Sequence, residues 1–108
     1  MRPVSIVATY QLPIRKRHDA SLRVLGAEAV RGALAAAGLE QVDALYLGNM
    51  LSDELQSQKH LAALIADEAG LAGIEASLVR AATASGAAAL RVGHLAVASG
   101  LVNTAVVV

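Results

Sequence analysis

The chain contains no cysteine, no phenylalanine and no tryptophan, only two prolines, and no surplus of either charge. Without cysteine it has no disulfide, no thiolate metal site and no thiol nucleophile, a composition compatible with a reducing compartment. Aromatic residues make up 2% of the sequence, too few for a stacking surface that would hold single-stranded nucleic acid. Nine basic and nine acidic residues cancel, so no global field draws in a phosphate backbone, and nucleic acid is not expected as a partner. Charged residues such as Arg31 and Arg91 interrupt the apolar stretches well before the ~20 residues needed to span a bilayer. The short run Val4 to Ala8 leads into Tyr10, Gln11, Pro13 and Arg15 without a cleavage pattern, so no signal peptide is indicated. The expectation is a soluble, cytoplasmic chain with no membrane span.

What is present is aliphatic. Hydrophobic residues are 56% of 108, enough for a real core built from Ala, Val, Leu and Ile in close layers. Val4–Tyr10 is β-branched and reads as a strand ending before Pro13. Arg15-Lys16-Arg17-His18-Asp19 reads as a loop. From Ser21 to Ala37, Leu22, Leu25, Ala29, Ala33 and Leu34 recur at helical spacing, with Asp19 or Ser21 as cap and Gly38 as stop. Val42–Leu47 is a second strand, followed by an irregular exit loop, Gly48 to Asp53. Gln58–Ala69 is a helix stopped by Gly70. Ala76–Ala82 is a third strand, Ser85–Ser99 a third helix, and Thr104–Val108 opens a fourth strand. The order βαβαβαβ predicts an α/β fold: a mostly parallel open sheet with helices on both faces. Ligands bind such sheets at the C-terminal ends of the strands, which points to the exits after Tyr10, Leu47 and Ala82. No turn or covering helix follows Val106-Val107-Val108, so residues 1–108 read as an incomplete N-terminal domain interrupted inside the fourth strand. Such a sheet would expose an apolar edge and face, and the isolated chain is not expected to be a stable monomer.

The most informative segment is Arg80-Ala81-Ala82-Thr83-Ala84-Ser85-Gly86, where a strand gives way to a small-residue helix. A side chain at such a corner projects to the ligand edge, and free N–H groups at the helix start favour negative charge. Thr83 is the candidate functional residue, as a substrate contact or simply as a helix cap. Ser85 lacks the Gly-x-Ser-x-Gly frame of a nucleophile elbow, and a cap is its simpler role. His18, His60 and His94 lie far apart without metal-ligand spacing, so no metal site is expected. His94 reads as a packed or interface residue and His60 as a boundary residue. Arg15-Lys16-Arg17 reads as a solvated loop, although it could meet phosphates. The carboxylate pairs Asp53-Glu54 and Asp67-Glu68 diverge at i, i+1 on a helix and read as surface residues. No Gly-x-Gly-x-x-Gly or Walker pattern makes this a nucleotide-binding module.

Three segments, in this order, carry a resemblance: Val42-Asp43-Ala44-Leu45-Tyr46-Leu47-Gly48-Asn49-Met50-Leu51, Gln58 through Asp67, and Ala82-Thr83-Ala84-Ser85-Gly86-Ala87-Ala88-Ala89-Leu90-Arg91, continued by Ala96-Val97-Ala98-Ser99-Gly100. Together they resemble the N-terminal part of the thiolase superfamily, nearest its sterol-carrier-type and archaeal-like branch or its thiolase-like aldolases. In thiolases a reactive Cys stands where this chain has Thr83. The resemblance implies action on acyl-CoA thioesters, with coenzyme A as substrate or product and no covalently bound cofactor. A Thr hydroxyl is a poor nucleophile near neutral pH, so ordinary thiolysis gives way to two readings. One is an enzyme, complete only with later segments that supply the other catalytic residues, of acyltransferase lineage or with aldolase/lyase chemistry. The other is a noncatalytic thiolase-like binding subunit. The resemblance also implies a homodimer through the Met50–Gln58 loop and the Ala76–Ala82 strand region. Some relatives work with a small OB-fold partner protein.

Overall fold

A parallel sheet of three strands, in the order β2-β1-β3, positions everything that follows. The computed structural model describes residues 1–108. Its elements run α1 (Leu22–Ala37), β1 (Ala44–Gly48), α2 (Ser52–Gln56), α3 (Leu61–Glu68), β2 (Glu75–Val79), α4 (Ser85–Ala98) and β3 (Ala105–Val107). β1 is the central strand, with Ala44 opposite Glu75 on one side and Ala105 on the other. Ala44 to Leu47 are all buried, as expected of a strand covered on both faces.

Alternation along β1 divides the core. Leu45 and Leu47 pack with Val30 and Leu34 of α1, with Leu61 and Ile65 of α3, and with Val106. Ala44 and Tyr46 face the other way, onto Ala96 of α4. Helices therefore cover both faces, as the sequence predicts, with α1 and α3 on one and α4 on the other. Ser21 caps α1 by accepting the Val24 N–H at 3.3 Å, and Gly38 ends it in the left-handed region (φ 68°). Arg23 joins α1 to α3 by meeting both Asp67 (2.9 Å) and Glu68 (3.6 Å), so these neighbouring carboxylates converge on one guanidinium instead of diverging into solvent. Asp43 ties the strand starts together. Its carboxylate accepts the N–H groups of Asn103 (2.8 Å) and Thr104 (3.1 Å), and these bonds hold it below the usual carboxylate range. The phenol of buried Tyr46 donates to Glu75 Oε1 at 3.0 Å, and burial together with that carboxylate pushes its pKa up to about 12.

The first predicted strand is not one. Val4–Tyr10 joins no sheet, and the observed order is αβααβαβ instead of βαβαβαβ. A strand needs a neighbouring ladder of N–H and C=O groups, and this segment pairs with neither outer edge of the β2-β1-β3 sheet. The segment instead spans from one face of the molecule to the other. The Arg2 N–H donates to Ala98 O (3.0 Å) and its guanidinium to Val97 O (2.7 Å) and Val102 O, closing the C-terminal end of α4. At its other end the Tyr10 ring lies against Gly32 of α1. Ile6 and Val7 stay exposed. The exit loop read as irregular contains the short helix α2, and α3 starts three residues later than the Gln58 expected from the pattern, because His60 holds a left-handed conformation (φ 56°).

Candidate functional site at the strand exits

Because the strands are parallel, the exits of β1 at Gly48-Asn49, of β2 at Arg80 and of β3 at Val108 lie along one edge. The chain after Tyr10 reaches the same edge, where Leu12 shares an apolar cavity of about 220 Å³ with Leu22, Leu25, Leu47 and Val108. Thr83 does not line that cavity.

The β2–α4 corner is built by the backbone and by Ser85. Ala82 sits at φ 48°, a left-handed conformation that a residue with a Cβ adopts only when its surroundings impose it. Ser85, nearly fully buried, imposes it. Its Oγ accepts the Ala81 N–H (3.0 Å) and donates to Ala82 O (2.7 Å), so one hydroxyl clamps both sides of the turn. The backbone adds Ala84 N–H to Ala81 O (2.9 Å) and Ser85 N–H to Ala82 O (3.2 Å).

Thr83 is not the cap of α4. The N-cap position belongs to Ala84, which has no side chain able to cap, and the bonds that close this corner leave the Thr83 hydroxyl unused. Ser85 is not a cap either; it is the first helical residue and bonds backwards into the turn. Thr83 is exposed beside the start of a helix whose Gly86 and Ala87 amides have no backbone acceptor. An exposed hydroxyl next to unpaired N–H groups can hydrogen-bond an oxygen that carries or gains negative charge.

The β1 exit closes on this corner at two points. Gly48 lies so near α4 that a Cβ on it would come within 2.5 Å of Ser85 O and 2.9 Å of Gly86 Cα. Farther along the loop, Arg80 Nη2 donates to Ser52 Oγ (3.0 Å) and to Asp53 Oδ1 (2.8 Å), and its Nη1 lies 3.4 Å from Asp53 Oδ2. The guanidinium holds the Asp53 carboxyl below its ordinary range, and the carboxylate raises Arg80 in turn. By its sequence context Asp53 is expected only on the surface. Its partner lies 27 residues away, and only the parallel register brings the two exits together.

The remaining sequence candidates do not join this edge as a cluster. His94 is exposed on α4 and His60 is exposed before α3. Arg15, Lys16 and Arg17 are exposed, and Arg17 makes only a solvated pair with Asp19 at 3.7 Å.

The family model for the thiolase N-terminal domain matches residues 4–108. The chain belongs to the thiolase family. It is 44% identical over 102 residues to an acetyl-CoA acetyltransferase of Methanothermobacter thermautotrophicus, covering 93% of this chain and 27% of that protein. It is 42% identical over 102 residues to an acetyl-CoA acetyltransferase of Methanocaldococcus jannaschii, with 93% and 26% covered. Among solved structures it matches 3-oxoacyl-(acyl carrier protein) synthase III, FabH, from Pseudomonas aeruginosa PAO1, with a TM-score of 0.73 and 30% identity. That match covers 82% of this chain and 27% of the other. The thiolase-like chain thus spans about a quarter of the length of these relatives, and its three-stranded sheet is the thiolase-like N-terminal part. None of its helices is long and apolar enough to cross a membrane.

Proposed function

We propose that residues 1–108 are the N-terminal part of a cytoplasmic enzyme acting on acyl-CoA thioesters, forming or cleaving a carbon–carbon bond, with coenzyme A as substrate or product. The observation that carries this reading is the exposed Thr83 hydroxyl at the β2–α4 corner, free of any capping duty, in a chain whose relatives include acetyl-CoA acetyltransferases. Thr83 occupies the position of the thiolase nucleophile. With no base hydrogen-bonded to its hydroxyl, it acts as a hydrogen-bond donor to the thioester or ketone oxygen, not as the attacking group. The Gly86 and Ala87 amides add to that stabilisation. Proton transfer falls to a base contributed by segments outside residues 1–108.

Steady-state turnover of acyl-CoA thioesters by the full-length protein, compared with Thr83→Ala, tests the reading. Loss of one such donor lowers kcat by about 10²-fold. Equal turnover by both proteins refutes a chemical role for Thr83. No turnover by the wild type, alone or with its partners, leaves the noncatalytic binding subunit. An aldolase or lyase that needs a small OB-fold partner would turn over only when that protein is added.

The homodimer implied by the family is supported by exposed Met50, Leu51 and Leu55 on the loop from Met50 to Gln58, and by the open edge of β2 beside them. Sedimentation equilibrium of the wild type and of Leu55→Asp checks it. A dimer weakened by the substitution is expected, and a monomeric wild type refutes it.

A further inference from the structure

We propose that Arg80 is a positioning residue: its guanidinium latches the β1 exit loop to the β2 exit and thereby sets the wall beside the Thr83 corner. Arg80 follows the last residue of β2 and precedes the strained Ala82 by two positions. From there it reaches back to the loop after β1 and engages two side chains at once, the fully buried hydroxyl of Ser52 and the carboxylate of Asp53. Ser52 Oγ also lies 3.3 Å from Asp53 Oδ1, which closes the three groups into a ring. A planar fork with several donors fits a hydroxyl and a carboxylate simultaneously, as a lysine ammonium on its flexible stem does not.

The loop has little else to hold it there. α2 has five residues and no side-chain cap, and it ends at Ser57 in a left-handed conformation (φ 50°). Its far end is fixed by Gln56 Oε1, which accepts the Leu22 N–H at 2.9 Å. Its near end is Gly48 against Ser85. Between these points the Arg80 grip is the tie from the loop to the strand that carries the corner. Glu54 and Lys59 stand close enough to act on the pair, Glu54 favouring the charge of Arg80 and Lys59 that of Asp53. An exposed ion pair contributes little to global stability. The role of this one is local: it fixes where the loop wall sits relative to Thr83, and a small misplacement of a reacting group is costly in rate.

The test uses the full-length protein with Arg80→Met, Arg80→Lys and Asp53→Asn, and with Arg23→Met as a control that removes a guanidinium joining α1 to α3, whose pair with Glu68 has similar exposure. Hydrogen exchange followed by mass spectrometry reads the peptide 49–58, and steady-state kinetics with an acyl-CoA read the site. Arg80→Met and Asp53→Asn should each speed exchange across 49–58 about tenfold and leave 44–48 unchanged, as expected for local opening. They should lower kcat about tenfold with KM changed less than about twofold. Arg80→Lys should fall between these variants and the wild type in both measurements, and Arg23→Met should alter neither. Unchanged exchange in both Arg80→Met and Asp53→Asn overturns the latch. A loosened loop with wild-type kcat overturns the positioning role. The kinetic arm rests on the acyl-thioester reading; if the wild type turns over no acyl-CoA, that reading fails and the exchange arm alone decides the latch.

Discussion

Three glycines of similar appearance in the sequence should respond very differently to alanine. At Gly48 the added Cβ would meet Ser85 O at 2.5 Å, Ser85 C at 2.7 Å and Gly86 Cα at 2.9 Å, all backbone atoms at the start of α4. No rotamer can relieve such a clash, so either α4 or the β1 exit must move, at the cost of overpacking, about 1–3 kcal/mol or more. At Gly93 the Cβ would meet Val107 Cγ2 at 2.7 Å and Tyr46 Cδ2 at 3.5 Å. Both are side-chain atoms, and a shift of Val107 should limit the loss to about 1 kcal/mol. At Gly86 nothing lies within 4 Å, and alanine in the first turn of α4 should be neutral or stabilising by up to about 1 kcal/mol. Urea unfolding of the full-length protein and the three variants, followed by far-UV circular dichroism, checks the order. With slopes of about 1–3 kcal/mol/M, Gly48→Ala should lower the midpoint by about 1 M. A Gly48→Ala midpoint equal to that of the wild type, or below it by no more than Gly93→Ala, would refute the claim that strand exit and helix start touch through their backbones.

Two further outcomes follow from the polar contacts. Ser85→Ala removes the acceptor of the Ala81 N–H and a donor to Ala82 O; it should cost about 1–3 kcal/mol in urea unfolding, whereas an effect below about 0.5 kcal/mol would mean that the turn holds without its clamp. The folded chain keeps the Tyr46 proton to about pH 12 while an unfolded tyrosine loses it near 10. The resulting stability is fully present below pH 10 and is lost as the pH rises towards 12, on the order of a few kcal/mol at most. Unfolding measured from pH 9 to 12 should show this decline in the wild type relative to Tyr46→Phe, and parallel curves would refute it.

Much of this architecture is legible in the sequence because it is written locally. Ser21, the apolar repeat through Leu34 and Gly38 delimit α1, and the uninterrupted apolar run of β1 marks a strand covered on both faces. Val4–Tyr10 failed because a β-branched run says what a segment favours, not which edge is open to receive it. α2 was missed because a five-residue helix has no period to detect. The corner at Thr83 is visible as a change from strand-like to helix-like residues. Sequence could not tell which of two nearby hydroxyls, Thr83 or Ser85, holds the turn, because both chemistries fit and only the left-handed Ala82 aims Ser85 inward. The Arg80–Asp53 grip is a product of strand register, which neither residue reports by itself.

The central place of β1 also orders events in time. During synthesis this apolar strand leaves the ribosome before either neighbour exists, since its partners begin at Glu75 and at Ala105. A parallel neighbour cannot come from a tight turn, so each side of β1 waits for a complete crossover. The corner bearing Thr83 lies within the second of these crossovers, between β2 and β3. Non-local pairing of this kind is slow and leaves strand edges open to wrong partners in the interval. The nascent chain therefore passes through a stage in which the strand that ends up most buried has both edges unpaired, and the Thr83 site takes shape only as that stage closes.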